Sequence, residues 1–171
     1  MILSGEEILE RIKKDKLIEE FIDLEVQLQP SSFDLTLREV YSLKNFGKID
    51  FSNQERKLPE LEKIEFKQGW IKLKQGCYII TFNEIVNMPS DLMAFVRSRS
   101  SLIRMGATIV SSLWDPGYRG RSNSLLVVFN KNGIKIKKNA RVAQFVFFKL
   151  SKPTKHLYSG IYKNENISKF A

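Results

Sequence analysis

The chain has 171 residues, 43% of them apolar and 27% charged, the balance of a globular protein whose whole length, 1–171, makes one domain. A single cysteine (Cys77) and a single histidine (His156) exclude an internal disulfide and a Cys/His zinc site, and with it the zinc-dependent deaminases. The net charge of +9 implies an anionic partner, and no apolar run is long enough to span a bilayer. The start, Met1 to Glu7, lacks the layout of a signal peptide, which with the lone cysteine points to the cytoplasm.

Ser4 followed by Glu7 is a capping box, with Leu3 and Ile8 placed to form a hydrophobic staple. Ile8, Leu9 and Ile12 mark one face of a helix running to about Lys16. The rest reads as β. Phe33, Leu35 and Leu37 alternate with Asp34, Thr36 and Arg38, which predicts a half-buried strand. Glu39 to Gln68 is charged and irregular, an excursion from the core. Trp70 to Lys74, Cys77 to Phe82, Met93 to Val96, Thr108 to Val110, Leu125 to Phe129 and Val142 to Phe148 follow as short strands. Asn132-Gly133 is a hairpin signal ahead of the alternating Ile134 to Lys137. Many short strands between turns predict a barrel, sandwich or jelly roll. The polar tail, 155–171, is expected to be flexible and to order on ligand binding.

The acids are unevenly spread. From Leu92 to Asn164 there is one carboxylate, Asp115, among many lysines and arginines. It lies in Trp114-Asp115-Pro116-Gly117-Tyr118-Arg119-Gly120, downstream of Arg97-Ser98-Arg99-Ser100-Ser101-Leu102. Cations and hydroxyls hold phosphate oxygens, and one acid can activate a water. The same residues also suit a plain turn, since Asp, Pro and Gly all favour turns. A basic half could equally be a general nucleic-acid surface, although no RNA-binding signature, zinc finger or basic zipper is present.

Four stretches in order narrow the choice: Gln29-Pro30-Ser31-Ser32-Phe33-Asp34-Leu35, Arg99-Ser100-Ser101-Leu102-Ile103-Arg104, Asp115-Pro116-Gly117-Tyr118-Arg119-Gly120 and Arg141-Val142-Ala143-Gln144. Together they resemble the dUTPase and dCTP deaminase superfamily. The opening Ile2-Leu3-Ser4 with its short helix, and the tail from Tyr162 to Lys169-Phe170, resemble the deaminase-like branch. The resemblance implies a mainly β fold, a β-clip (a distorted, jelly-roll-like barrel) with a short N-terminal helix. It implies a homotrimer with active sites at subunit interfaces, and a deoxynucleoside triphosphate substrate carrying Mg2+ on its phosphates. It assigns Asp115 as the general base, kept ionised by neighbours such as Arg119. Ser100 and Ser101 then hold phosphate oxygens, Arg99 and Arg104 neutralise growing negative charge, and Gln144 contacts phosphate or site. Tyr118 packs on the deoxyribose and excludes a 2′-hydroxyl. Tyr162 and Lys169 close from the tail, though the glycine-rich tail motif of dUTPases is missing. No residue binds the metal directly; Asp34 reaches it through water or organises the site. No specific nucleic-acid partner and no membrane are implied.

Deamination of cytosine without zinc needs a carboxylate beside C4. In family deaminases it is a Glu on the strand after the Asp-Pro-Gly loop. That position falls here on Val127, or on Leu125 counted forward, and a companion Arg falls on Leu113. These departures favour a dUTP diphosphatase that forms dUMP and pyrophosphate. A dCTP deaminase or bifunctional enzyme is the alternative, and a non-enzymatic nucleotide- or nucleic-acid-binding module is the second. Uracil is expected to meet backbone groups around Ser111 to Trp114 and Ser122 to Leu126.

Overall fold

The computed structural model describes residues 1–167. Its elements are helix α1 (Gly5–Asp15), β1 (Ile18–Glu19), α2 (Leu24–Gln27), β2 (Leu28–Gln29), β3 (Ser32–Leu43), β4 (Leu61–Lys63), β5 (Trp70–Leu73), β6 (Gly76–Phe82), β7 (Ile85–Asn87), β8 (Leu92–Ser98), α3 (Ser100–Arg104), β9 (Ala107–Val110), β10 (Arg119–Gly120), β11 (Asn123–Val128), β12 (Ile134–Lys137) and β13 (Arg141–Lys149). The capping box forms as expected: the Glu7 N–H donates to Ser4 Oγ and the Ser4 N–H to the Glu7 carboxylate. Leu3 and Ile8 are both buried beneath it. Arg11 forks onto both oxygens of Asp91 at 2.6 and 2.8 Å, which fastens α1 to the start of β8.

The main antiparallel sheet runs β8-β13-β3-β6-β11-β9, with β2 and β4 also paired to β3. Its two edge strands meet through one side chain. Ser98 of β8 accepts the Ile109 N–H of β9 at 2.7 Å and lies 3.0 Å from the Thr108 hydroxyl. The sheet is thereby nearly closed into a barrel, which removes its open edges. Beyond β9 the chain crosses back to β8, where Trp114 and Ala94 exchange backbone bonds of 2.9 and 3.1 Å. The core inside is apolar: Phe33, Leu35 and Leu37 of β3 face Phe145 and Phe147 of β13, and the Trp114 ring meets Phe145 edge-on at 4.7 Å. Among the described residues no helix is long and apolar enough to cross a membrane.

Three expectations change. β3 is buried on both faces: Asp34 and Thr36 are 0% and 2% exposed. The cause is a polar layer. Thr36 donates through its N–H and its hydroxyl to the buried carboxylate of Glu84, at 3.0 and 2.6 Å. The Gln27 amide bonds the same carboxylate and the Asp34 carbonyl, both at 2.8 Å. Burial raises the Glu84 carboxyl above its usual range. Asn132-Gly133 turns the chain but joins no hairpin, because β12 pairs with β5 rather than β11. Ile134 and Ile136 bury beside Leu73 and Ile71, and that burial outweighs the local turn preference. The excursion is narrower than its composition suggests. β3 continues to Leu43 and pairs with β4, so the projecting part is 44–60.

Ser98→Ala tests the closure. It leaves the buried Ile109 N–H without its acceptor, an expected loss of about 1–3 kcal/mol. An unchanged urea midpoint would show that the edge strands hold without this link.

Candidate active site

The Asp115 loop is built on backbone bonds at both ends. Trp114 is held by Ala94, and the Tyr118 N–H donates to the Asp115 carbonyl at 3.1 Å, closing a four-residue turn. Pro116 sits second and Gly117 third with φ 86°, the pattern of a type II turn. Met88 clamps it, accepting the Gly117 N–H and donating to the Tyr118 carbonyl, both at 2.8 Å. The turn and the reactive carboxylate are thus compatible readings: the backbone of Asp115 opens the turn while its side chain stays exposed.

That side chain borders two cavities. The larger, about 640 Å3, has an apolar side from Leu43, Leu61 and Ile79 and is closed by Trp114, Tyr118 and Tyr158. Ser112, Leu113, Ser122 and Asn123 also line it, so both backbone stretches expected around a base contribute to its wall. The smaller, about 370 Å3, lies between Asp115 and the segment from His156 to Gly160.

The tail makes the remaining wall. Tyr158 donates its N–H to the Pro116 carbonyl at 2.7 Å, Asn164 to the Arg119 carbonyl at 2.6 Å, and Arg121 to the Glu165 carbonyl at 3.1 Å. The expected flexible tail is therefore laid along the loop as far as the described residues reach. Two glycines of the loop permit it. A Cβ on Gly117 would stand 2.7 Å from that of Leu157, and one on Gly120 would stand 3.2 Å from the Glu165 carbonyl and 2.7 Å from the Tyr118 hydroxyl. Tyr162 reaches the larger cavity, with the Arg56 guanidinium 5.9 Å above its ring. Lys169 lies outside the described residues.

Tyr118 is only 5% exposed. Its hydroxyl donates to Glu165 Oε1 at 2.9 Å, and Tyr158 meets its ring edge-on at 5.7 Å. Burial, then the nearby Glu165 charge, pushes the phenol far above its usual range. Glu165 is a second carboxyl in the cavity, and burial raises its proton affinity too. Nothing near Asp115 in sequence signals Glu165; only the docking of the tail brings it there. Arg119 does not serve Asp115 as expected. β10 pairs with β7 beside β1, so Arg119 turns to Glu19 at 3.4 Å and the buried Arg121 to Glu20.

The other predicted residues form a separate group. Asp34 Oδ2 lies 3.1 Å from both Arg99 Nε and Arg141 Nη1. Arg99 also donates to the Arg141 carbonyl at 3.3 Å, and Arg141 to the Val26 carbonyl at 2.7 Å. Burial raises the Asp34 carboxyl against the pull of the two guanidinium groups. With no exposed surface, Asp34 is no outward strand position; its Oδ2 pairs with the two arginines, while its Oδ1 has no hydrogen-bond partner among the described residues. Gln144 stands opposite Asp34 and Arg97 and donates to Ser32 Oγ at 3.3 Å. Ser100, Ser101 and Arg104 are exposed on α3. Among the described residues, none of Arg99, Ser100, Ser101, Arg104 and Gln144 lines either cavity beside Asp115.

Comparison with known proteins places this geometry. A family model described as dCTP deaminase-like matches residues 2–150. The chain belongs to the dCTP deaminase-like family. A probable deoxyuridine 5'-triphosphate nucleotidohydrolase of Archaeoglobus fulgidus is 50% identical to it over 97% of this chain and 98% of its own. A protein of the same name from Methanosarcina mazei is 48% identical over 96% and 98%. The crystal structure of 2'-deoxycytidine 5'-triphosphate deaminase from Agrobacterium tumefaciens shares the fold, with TM-score 0.65 and 21% identity over 88% of this chain and 48% of that one. Within this dCTP deaminase-like chain, the positions that carry the deaminase Glu by resemblance, Leu125 and Val127, lie on β11 and do not line the cavity; Leu113 does.

Because burial raises the Glu165 pKa, the folded state holds its proton more tightly than the unfolded one, so stability from this group falls as pH rises from 4.5 through the raised value. Glu165→Gln keeps the acceptor for Tyr118 and does not titrate. Its Tm relative to the parent should climb as pH rises through that window. A pH-independent difference would show that Glu165 is not held in the cavity as described.

Proposed function

We infer that the protein is a dUTP diphosphatase. The observation that carries the reading is a fixed turn presenting one exposed carboxylate, Asp115, at the mouth of a cavity sized for a nucleoside, in a chain about half identical to dUTP nucleotidohydrolases. Water attacks the α-phosphorus of dUTP and passes a proton to Asp115. The new P–O bond forms as the bond to the leaving pyrophosphate breaks, giving dUMP and pyrophosphate. A positioned base of this kind contributes about 10²–10⁴ in rate. Tyr118, its hydroxyl tethered by Glu165, walls the deoxyribose side, and Tyr162 closes over the substrate from the tail.

The phosphate group of residues completes this site from a second copy of the chain. Arg99, Ser100, Ser101, Arg104 and Gln144 stand apart from the Asp115 cavities within one chain, so a homotrimer of β-clip subunits with interfacial sites supplies them in trans. Asp34 spends its charge on Arg99 and Arg141, which fixes the phosphate-binding guanidinium before substrate arrives. Magnesium fits as a passenger of the triphosphate. Among the described residues no three acids, histidines or cysteines gather as a metal cage, while phosphate oxygens and water satisfy this ion. When bound it neutralises charge on the phosphates.

A second reading has one observation behind it. Glu165 is a carboxyl of raised proton affinity inside the cavity, the kind of group that could move protons at C4 of cytosine. Ammonia released from dCTP would establish a bifunctional enzyme. The expected result is turnover of dUTP alone among dUTP, dCTP, dTTP and UTP.

Asp115→Asn should fold normally and lose about 10²–10⁴ of kcat; parental turnover by a folded variant refutes the base. Refolding an equal mixture of Asp115→Asn and Arg99→Ala chains, each inactive alone, should restore about a quarter of parental activity in a cyclic trimer. No recovery would place the complete site in a single chain.

A further inference from the structure

The ribbon of β5 and β12 buries one face and exposes the other. Ile71, Leu73, Ile134 and Ile136 point into the core. The outer face carries Trp70, Lys72, Lys135 and Lys137, with Lys137 opposite Trp70 and Lys135 opposite Lys72. Lys74 and Lys138 continue it at the strand ends. None of these residues lines the Asp115 cavities.

Stability alone does not select this face. Like charges directly opposite each other weaken a ribbon, yet Lys72 and Lys135 stand in that relation. Among the described residues none of the five lysines makes an ion pair. Trp70 is 40% exposed, whereas Trp114 is buried. The Lys135 and Lys137 ammonium groups lie 5.0 and 6.0 Å from the centre of its ring. Those contacts hold the indole flat on the surface and keep the cations beside it.

A stacking surface ringed by cations suits one kind of polyanion. Lysines track phosphates, and the ring takes an unpaired base. Alternate residues along a strand stand about 6–7 Å apart, a spacing at which neighbouring lysines meet successive phosphates of an extended strand. A duplex has no free base face to offer, and the ribbon carries no Arg, Asn or Gln to read base edges. A membrane surface would match the charge but leave the flat indole without the apolar companions that anchor a protein in lipid. We propose that the β5–β12 ribbon binds single-stranded nucleic acid without sequence preference.

The site is independent of the hydrolytic reading, and its test is too. Titrating the full chain with oligothymidylate should quench the emission of Trp70, the exposed one of the two tryptophans. Affinity should fall with salt by about 0.7 logarithmic units per phosphate engaged, so Lys72→Glu with Lys135→Glu should flatten the slope by about 1.4. Trp70→Ala should weaken binding about tenfold. Both variants should hydrolyse dUTP at the parental rate. Lys13→Glu with Lys14→Glu on α1 changes net charge equally and should leave the slope nearly unchanged. The proposal fails if the α1 pair costs as much as the ribbon pair, if Trp70→Ala binds as the parent does, or if the ribbon variants lose only binding to phosphatidylserine vesicles.

Discussion

The backbone exchange between Trp114 and Ala94 is the constraint on which the site depends. It fastens the chain beyond β9 to β8, the edge strand that also carries Ser98. It also sets the position of the next residue, Asp115. An exposed carboxylate on a free loop would sample many positions, and a general base must stand within hydrogen-bond reach of its proton. Here the loop is fastened to β8 on one side and to Met88 on the other, so the placement of Asp115 is inherited from barrel closure.

The tail depends on the same loop. Gly117 and Gly120 leave room for another strand of backbone, and 158–166 fills it. This docking brings Glu165, Tyr158 and Tyr162 to a cavity whose other walls are partly aliphatic (Leu43, Leu61, Ile79), partly aromatic (Trp114, Tyr118) and partly polar (Ser112, Ser122, Asn123). Each brings a polar tip and an apolar body, which suits a nucleoside with a flat ring and a polar edge. The price is a buried carboxyl, offset in part by the Tyr118 hydroxyl.

Asp34 shows how a residue type can be read correctly in part. Its place between Ser32 and Leu35 marked it as a site residue, and either metal hydration or site organisation suited a carboxylate there. Its complete burial and its pairing with Arg99 and Arg141 suit the organising role. Two arginines converge on one oxygen, so the acid holds their guanidinium groups in place. The polar layer of Gln27, Thr36 and Glu84 that covers the adjoining face had no sequence signal, because its members come from three separate elements, a helix, a strand and the turn between β6 and β7.

Local patterns were legible wherever neighbours in sequence determine the outcome. The capping box, the helix to Lys16, the strand segments and the Asp-Pro-Gly turn all follow from spacing within a few residues, since hydrogen bonds of caps and turns and the two-residue pleat close locally. The motif order carried the family and pointed to Asp115, Arg99 and Tyr118. What the sequence alone could not decide is which strands pair and which cations face which acids. Asn132-Gly133 promised a hairpin, but β12 went to β5; Arg119 stood next to the Asp-Pro-Gly turn, but faced Glu19. Both were settled by burial of distant apolar faces, which adjacent residues do not encode. The same long-range packing separated the group around Arg99 and Asp34 from Asp115 and brought Glu165 to its cavity, because a tail can be placed only once the surface that receives it exists.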